Sequence, residues 1–533
     1  MLTRRRSRRD SLIWATAPTV HRHGRGAASP QPSPITRTAQ PAEATPMGEA
    51  PPPHGHRLSS PVKGARSQAR LHPLTDKAAN HRLQAYETAV KSSFDRILPV
   101  LHDLAGLQRD KGFIGKAQAL AEQTLGFRLP DHLLNDAWIK GLDLPRLHAA
   151  CLFETYGRMA DGFFAHDPLK GHDTREFDTF LQSCGFHLMD VTPCADGRLA
   201  HTISYVLRLP FGAVRRRSFA GALFDVEDTV SKWVEVEHAR YRAGVPNTAD
   251  APTRYLKTVV YHFSSRNPAH EGCAAHGSDD DAAARAGLER LRAFRQAVEN
   301  GFCCGASVAL LLIGLDTDTD ALRIHVPDAQ GHTDLQRSLD TGHIYHQTLS
   351  MTPEAARRHI LEQVRRQAPA TPDEGMVTLI ARLVENNLSQ LDYVVRRHDG
   401  TYPDQGHAER FIGVGIGFEE IQLRNLTFFA YLHTVEEGAA DLDVGCRILG
   451  GLNHPHGLPI PVVIRFDYHG QVPGARERAI ARCQQVDRAV TERYAPLIRD
   501  GLLHRLLVVR DCDTRGGLER VATSTDPSGR GGH

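Results

Sequence analysis

Three absences bound what this 533-residue chain can be. No apolar stretch approaches the ~18–20 residues a bilayer-spanning helix needs, so no helical membrane anchor is expected. The nine cysteines, at 151, 184, 194, 273, 303, 304, 446, 483 and 512, lack any paired spacing. An odd, irregular set in so long a chain argues against a disulfide framework and for a reducing compartment. Nor does one sign of charge dominate, since the net charge is only +2. That small value hides an asymmetry: residues 1–70 hold twelve Lys/Arg against Asp10, Glu43 and Glu49, a balance of +9 that leaves about −7 on the remainder. Apolar and charged contents of 41% and 24% are ordinary for globular domains, and the length implies two to four of them.

Residues 1–72 carry ten prolines, few large apolar residues and the block Arg4-Arg5-Arg6-Ser7-Arg8-Arg9. Such a segment buries too little surface to offset its ordering entropy and is expected to be a disordered basic tail. It serves either as a solubilising extension or as an arm for an acidic partner. Arg8-Arg9 resembles an export signal, but the apolar run behind it, Leu12 to Val20, is short and holds Pro18. Residues 73–167 read as an all-α domain: Tyr86, Val90, Phe94, Ile97, Leu98, Leu101 and Leu104 recur at spacings of three and four. Helices are predicted at 112–125, 131–139 and 144–164.

From about 168 the texture becomes α+β or α/β. Strands are predicted at 186–192, 202–209, 255–264 and 307–315, with a helix over 279–301 opened by acids and closed by Gly301. Strand, helix, strand reads as a βαβ unit and a largely parallel sheet. A second such unit follows at 459–468, 474–494 and 502–510. Aligning Val259–Phe263 with Val463–Asp467, and Leu310–Gly314 with Leu506–Arg510, predicts an internal duplication whose second copy has lost its chemistry. The expected boundaries are 168–407 for the first copy, 408–514 for the second, and a frayed end over 515–533.

Chemistry concentrates in Cys194-Ala195-Asp196-Gly197-Arg198. On extended backbone, i, i+2 and i+4 share one face, which aims a thiol, a carboxylate and a guanidinium together. His262 closes a predicted strand and Cys273 precedes a helix, so both fall at the carboxyl edge of a parallel sheet, where such folds bind ligands. Two thiolates and an imidazole with one open position suit catalytic zinc. His270, in His270-Glu271-Gly272-Cys273, is the alternative imidazole.

Cys-x-Asp-x-Arg followed by a strand-end His and a Cys at a helix start resembles the metal motif of β-class carbonic anhydrases. The runs Pro193–Leu199, Gly244–Tyr255, Gly272–Gly277, Cys303–Ser307 and Gly406–Arg410 narrow that resemblance to the carboxysome shell branch, over residues 72–510. The resemblance implies a helical N-terminal domain, a β-carbonic-anhydrase-like catalytic domain and a degenerate zinc-free copy. It implies one Zn2+ per chain on Cys194, His262 and Cys273, with eight extra residues between the last two. Asp196 would orient a zinc-activated hydroxide toward CO2, Arg198 would hold Asp196, and His407 would be a supporting donor or proton carrier. The implied function is reversible CO2 hydration and bicarbonate dehydration, supplying Rubisco inside the carboxysome of a bacterial cytoplasm. The tail would bind Rubisco or shell proteins, with no nucleic acid or membrane partner, and the chains would form a homodimer or an oligomer of dimers. A thiolate-rich site also predicts activity rising across pH 7 to 9. The rival reading is a structural shell or scaffold protein with a non-catalytic zinc, which would not need the Asp196–Arg198 pair.

Other motifs fail on their own terms. Asp316-Thr317-Asp318-Thr319-Asp320 opens like a calcium loop, but Ala321 and Pro327 occupy the positions that need Gly and Glu. Gly413-Val414-Gly415-Ile416-Gly417 lacks dinucleotide-binding spacing. His407-Ala408-Glu409 evokes a zinc deaminase, in reversed chain order. Cys512-Asp513-Thr514-Arg515 echoes the first motif and reads as a worn trace of the duplication.

Overall fold

A computed structural model describes residues 70–526, except 136, 167–173, 211, 246, 249–251, 303–306, 405, 432–434 and 515. The basic tail, the Cys303-Cys304 pair and the arginine of the Cys512 echo therefore lie outside the described residues.

Six helices open the described chain: α1 Lys77–Asp95, α2 Ile97–Leu107, α3 Phe113–Leu125, α4 Asp131–Leu134, α5 Ala137–Lys140 and α6 Leu144–His166. Asp76 caps α1 by accepting the Ala79 N–H, and Gly126, at φ +81°, ends α3 in the left-handed conformation glycine favours. The helix predicted over 131–139 is in fact two short ones. Leu83, Tyr86, Val90 and Phe94 form the buried stripe of α1, and this layer shares one core with Phe411, Val463, Leu506 and Val508 of the C-terminal sheet.

After α7 (Thr174–Ser183) comes a six-stranded sheet made of β1 Leu188–Pro193, β2 Arg215–Arg216, β3 Arg254–Phe263, β4 Ser307–Asp316, β5 Leu322–His325 and β6 Leu339–Asp340. Its order is β2-β1-β3-β4-β5-β6. The first three pairings are parallel and the last two antiparallel. Helices α8 (Val226–Arg242) and α9 (Asp280–Phe302) make the crossovers, and α10 Thr341–Thr348, α11 Pro353–Gln367 and α12 Glu374–His398 join the same core. The strand predicted at 202–209 is instead a π-helical turn, Thr202–Val206. β-branched residues there suggested a strand, but Val206 N–H donates back to His201 O, and Asn387 of α12 donates to Val206 O. Tertiary partners override propensity.

A second sheet is made of β7 Phe411–Ile416, β8 Thr427–Tyr431, β9 Ile460–Tyr468, β10 Leu503–Asp511 and β11 Glu519–Thr523, with helices α13 Val435–Asn453, α14 Ala475–Arg493 and α15 Ala495–Arg499. Its order, β8-β7-β9-β10-β11, repeats β2-β1-β3-β4-β5 with the same strand directions. The duplication is therefore present in the topology. β11 belongs to it, so the second copy runs past residue 514 and the end predicted to fray is ordered to 526.

The register of the duplication differs by one residue from the sequence alignment. Val259 and Leu312 face α9, where a Cβ on Gly287 would touch both. Cys483 of α14 reaches Ile464 and Val508 carbonyls, and Val462, Ile464, Phe466, Leu507 and Val509 share its core. Val259 pairs with Leu312 and Ile464 with Leu507, so Val259 corresponds to Ile464 and not to Val463. In that register Cys194 matches Ile416 and His262 matches Asp467. Cys512 follows β10, the counterpart of β4, so its echo of Cys194 is coincidental.

Candidate metal centre

Three predicted residues converge where β1 and β3 end. Cys194 directly follows β1, with its N–H donating to Val260 O. His262 is the penultimate residue of β3. Cys273 stands before the 3-10 turn Ala274–His276 that leads into α9. Their ligand atoms lie within 4.8 Å of one another and all three residues are buried. His270 is exposed and lies outside the group. The segment between His262 and Cys273 is shaped by the acidic turn after β4: Ser264 Oγ and Arg266 N–H donate to Asp318, and Ser265 N–H to Asp316.

Asp196 and Arg198 reach the same cavity, but not along extended backbone. Asp196 caps the 3-10 turn Gly197–Leu199 by accepting the Arg198 N–H. The Arg198 guanidinium then folds back, donating from Nε to Asp196 Oδ1 at 3.0 Å and from Nη2 to Oδ2 at 2.7 Å. Its Nη1 donates to Glu271 O at 2.7 Å, which ties the carboxylate to the loop that delivers Cys273. Burial alone would raise the Asp196 carboxyl, yet Arg198, His407 and His262 outweigh it and hold it well below the usual range. His407 Nε2 stands 3.9 Å from Asp196 Oδ2, and its Nδ1 lies 3.0 Å from Glu409 Oε1. Burial opposes a charge on His407, but the Asp196 and Glu409 carboxylates push it up to about 9.

Asp196, His407 and Glu409 also bring their ligand atoms within 4.8 Å of one another. Both Asp196 oxygens are already engaged by Arg198, so this is an acid–imidazole relay in character. The Cys194, His262 and Cys273 set is different. Both ring nitrogens of His262 are fully buried without a hydrogen-bond partner among the described residues. A buried polar group is rarely left so, and a metal would engage one nitrogen. The two Sγ atoms are 4.0 Å apart. Tetrahedral metal–sulfur bonds of about 2.3 Å place two sulfurs about 3.8 Å apart, so the donors fit one ion. The Cys273 contact and burial drive the Cys194 thiol well up, while Cys194 and the Ala275 and His276 N–H groups bring Cys273 down.

Residues past 408 complete the centre, and of these only Glu409 stood out beforehand, as part of the Gly406–Arg410 run. Gly197 N–H donates to Glu409 Oε1 at 3.1 Å, and Gly197 O accepts the Asn425 N–H at 2.8 Å. Phe429 of β8 donates to Ala195 O.

A parallel sheet presenting two cysteines, one histidine and an arginine-held aspartate at its carboxyl edge defines the β-carbonic-anhydrase class of metal site. Family models described as the N-terminal, catalytic and C-terminal domains of carboxysome shell carbonic anhydrase match residues 72–164, 176–407 and 408–525. Relatives so named are similar throughout. One from Prochlorococcus marinus (strain MIT 9313) is 59% identical over 86% of this chain and 90% of its own. Another, from Halothiobacillus neapolitanus (strain ATCC 23641 / c2), is 45% identical over 85% and 90%. The chain belongs to the carboxysome shell carbonic anhydrase family. Among the described residues no helix is long and apolar enough to cross a membrane.

Proposed function

We propose that the protein is a zinc carbonic anhydrase of the carboxysome, interconverting CO2 and bicarbonate. The observation that carries this is the buried, unpartnered His262 beside Cys194 and Cys273, with Asp196 locked in place by Arg198. Cys194, His262 and Cys273 would hold the ion, which when bound lowers the pKa of water enough to supply hydroxide near neutral pH. Asp196, kept ionised, would accept a hydrogen bond from the hydroxyl so supplied and aim its lone pair toward CO2. Arg198 holds Asp196 in that orientation through a charge-assisted, two-pronged pair and keeps it from turning toward the metal. His407, 22% exposed by side chain, exchanges protons between the buried site and solvent. In the carboxysome the CO2 formed from bicarbonate would supply Rubisco, and the basic tail would recruit the enzyme to Rubisco or the shell as a homodimer or larger assembly.

Stopped-flow CO2 hydration with and without chelator tests the reading. Activity rising from pH 7 to 9 and lost with the metal is expected. A folded, zinc-loaded protein without activity would leave only the structural role. An anomalous map at the metal edge would place the ion on His262 or on His270.

A further inference from the structure

Glu409 is the least explained group of the centre. The residue is 2% exposed, and it comes from the segment joining the two copies. Oε1 receives the Gly197 N–H and faces His407 Nδ1, while Oε2 is buried without a hydrogen-bond partner among the described residues. A buried carboxylate with an idle oxygen is costly, so a structural role alone accounts for it poorly. Its neighbour is shaped around it. A Cβ on Gly197 would fall 2.5 Å from Glu409 Cγ and 2.7 Å from Oε1, so glycine at 197 is what allows the carboxylate to approach.

His407 is the member of the site open to solvent: its side chain is 22% exposed, against 5% for Asp196 and none for His262 or Arg198. With Nδ1 against Glu409, that nitrogen keeps its proton, and Nε2, which faces Asp196, is the nitrogen that gains and loses one.

We propose that Glu409 is a positioning residue that holds His407 with Nε2 toward Asp196, so that the imidazole carries away the proton released in CO2 hydration. This rests on the carbonic anhydrase reading. In the balanced step, His407 first gives its Nε2 proton to buffer; water then loses one proton, the hydroxide lone pair forms the new C–O bond of bicarbonate, and the ring, now neutral, takes the proton at Nε2. The imidazolium, stabilised by Glu409, passes that proton to buffer.

If His407 carries the proton, its passage to buffer comes after bicarbonate has formed and bears on kcat, whereas kcat/KM reports the steps up to bicarbonate, so the two separate. In Glu409→Ala we expect kcat to fall about tenfold, with kcat/KM nearly unchanged and kcat restored by added imidazole. Glu409→Gln, which keeps an acceptor for Gly197 N–H and Nδ1–H, should recover most of kcat. In a His407→Ala background Glu409→Ala should add no further loss. A crystal structure of Glu409→Ala should show the His407 ring turned from Asp196. Unchanged kcat, or kcat and kcat/KM falling together with metal content, would overturn the proposal. So would an equal loss without His407. Should Glu409→Ala not fold, Glu409→Gln and His407→Ala carry the test: a Gln variant that loses kcat without imidazole rescue ends the idea. A wild-type enzyme without CO2 hydration would instead refute the carbonic anhydrase reading.

Discussion

The two copies share one topology and handle buried charge in opposite ways. In the first, His262 stands one residue from the end of β3; its nitrogens make no hydrogen bond among the described residues, although Nε2 is 3.5 Å from Asp196 Oδ2, and two thiols complete the donor set. In the second, the matching position is Asp467, and Cys194 has become Ile416. There Arg465 of β9 lies fully buried between Glu420 and Asp467, donating to both Glu420 oxygens at 2.8 and 2.9 Å and to Asp467 at 2.7 and 2.8 Å, with Tyr156 of α6 beside it. A guanidinium supplied by the chain meets Asp467, at the position of His262. The second copy keeps a cavity at that edge, in which Ile416 and Asp467 stand for Cys194 and His262. Charge balance was internalised, and the second copy turned to support, pinning the Ala195–Gly197 turn through Phe429 and Asn425.

The contrast breaks most sharply at the thiols. Cys194→Ser or Cys273→Ser should abolish metal binding and reduce CO2 hydration to the background rate. Cys512→Ser, the counterpart suggested by sequence alone, should change neither. Metal content by mass spectrometry alongside stopped-flow rates checks both. A loss of zinc in Cys512→Ser would mean that the second copy is not metal-free.

Next in size is the internal cation. Arg465→Leu strands two buried carboxylates and should cost about 3–5 kcal/mol of stability, measured by urea unfolding. The combination Arg465→Leu with Glu420→Gln and Asp467→Asn removes the charges together and should recover much of that loss. In the first copy Arg198→Leu should behave differently, because Asp196 keeps His407 nearby and the main deficit is catalytic.

The supporting role of the second copy predicts a smaller effect at Asn425. Its backbone N–H holds Gly197 O, and its Nδ2 donates to Asp404 Oδ2 at 3.0 Å and to Gly406 O at 3.1 Å, next to His407. The residue sits at φ +56°, which asparagine tolerates better than most residues. Asn425→Gly keeps that backbone and loses the side-chain bonds, so activity should fall about tenfold with little change in stability. Asn425→Ala should show the same catalytic loss plus about 1 kcal/mol of destabilisation. Equal activity in both variants and wild type would show that the side chain does not align the His407 loop.

Much of this arrangement was legible in the residues, and the parts that were not share a physical cause. The helix opened by Asp280 and the strands on either side of it announced themselves by periodicity and by their caps. The ligand set was readable because thiols, an imidazole and an acid–base pair are chemically distinctive. The register of the duplication was not, because β3 and β9 are buried on both faces. Val259, Val260, Val463 and Ile464 are all apolar and fully buried, so no alternation exists to detect a slip of one residue. The π-turn at Thr202 was hidden because its partners are distant in sequence. The contacts of Glu409 and Asn425 were hidden for a similar reason: each acts on Gly197 across more than two hundred residues.

The last predicted effect appears only in acid and concerns how each copy is held to its helical neighbours. His148 of α6 and His504 of β10 lie buried at the seam with the second copy, and burial, with Arg410 and His504 adding to it at His148, lowers each to about 4. His72, also lowered to about 4 by burial, sits against Thr348 of α10 and Asp392 of α12 in the first copy. Folding therefore favours the neutral form of all three. Their contribution is complete above the unfolded pKa of about 6.5, is lost as the pH falls below it, and is exhausted near pH 4. At pH 5 each histidine should have cost about 2 kcal/mol. The slope of unfolding free energy between pH 7.5 and 5 should thus be shallower in His148→Gln or His504→Gln, where one titrating group is gone. His72→Gln should flatten it by a similar amount, but through the first copy. If the two seams unfold independently, probes placed on each sheet will separate in acid. A single shared transition would show that the Gly197 clamp couples the copies more tightly than either seam holds its helices.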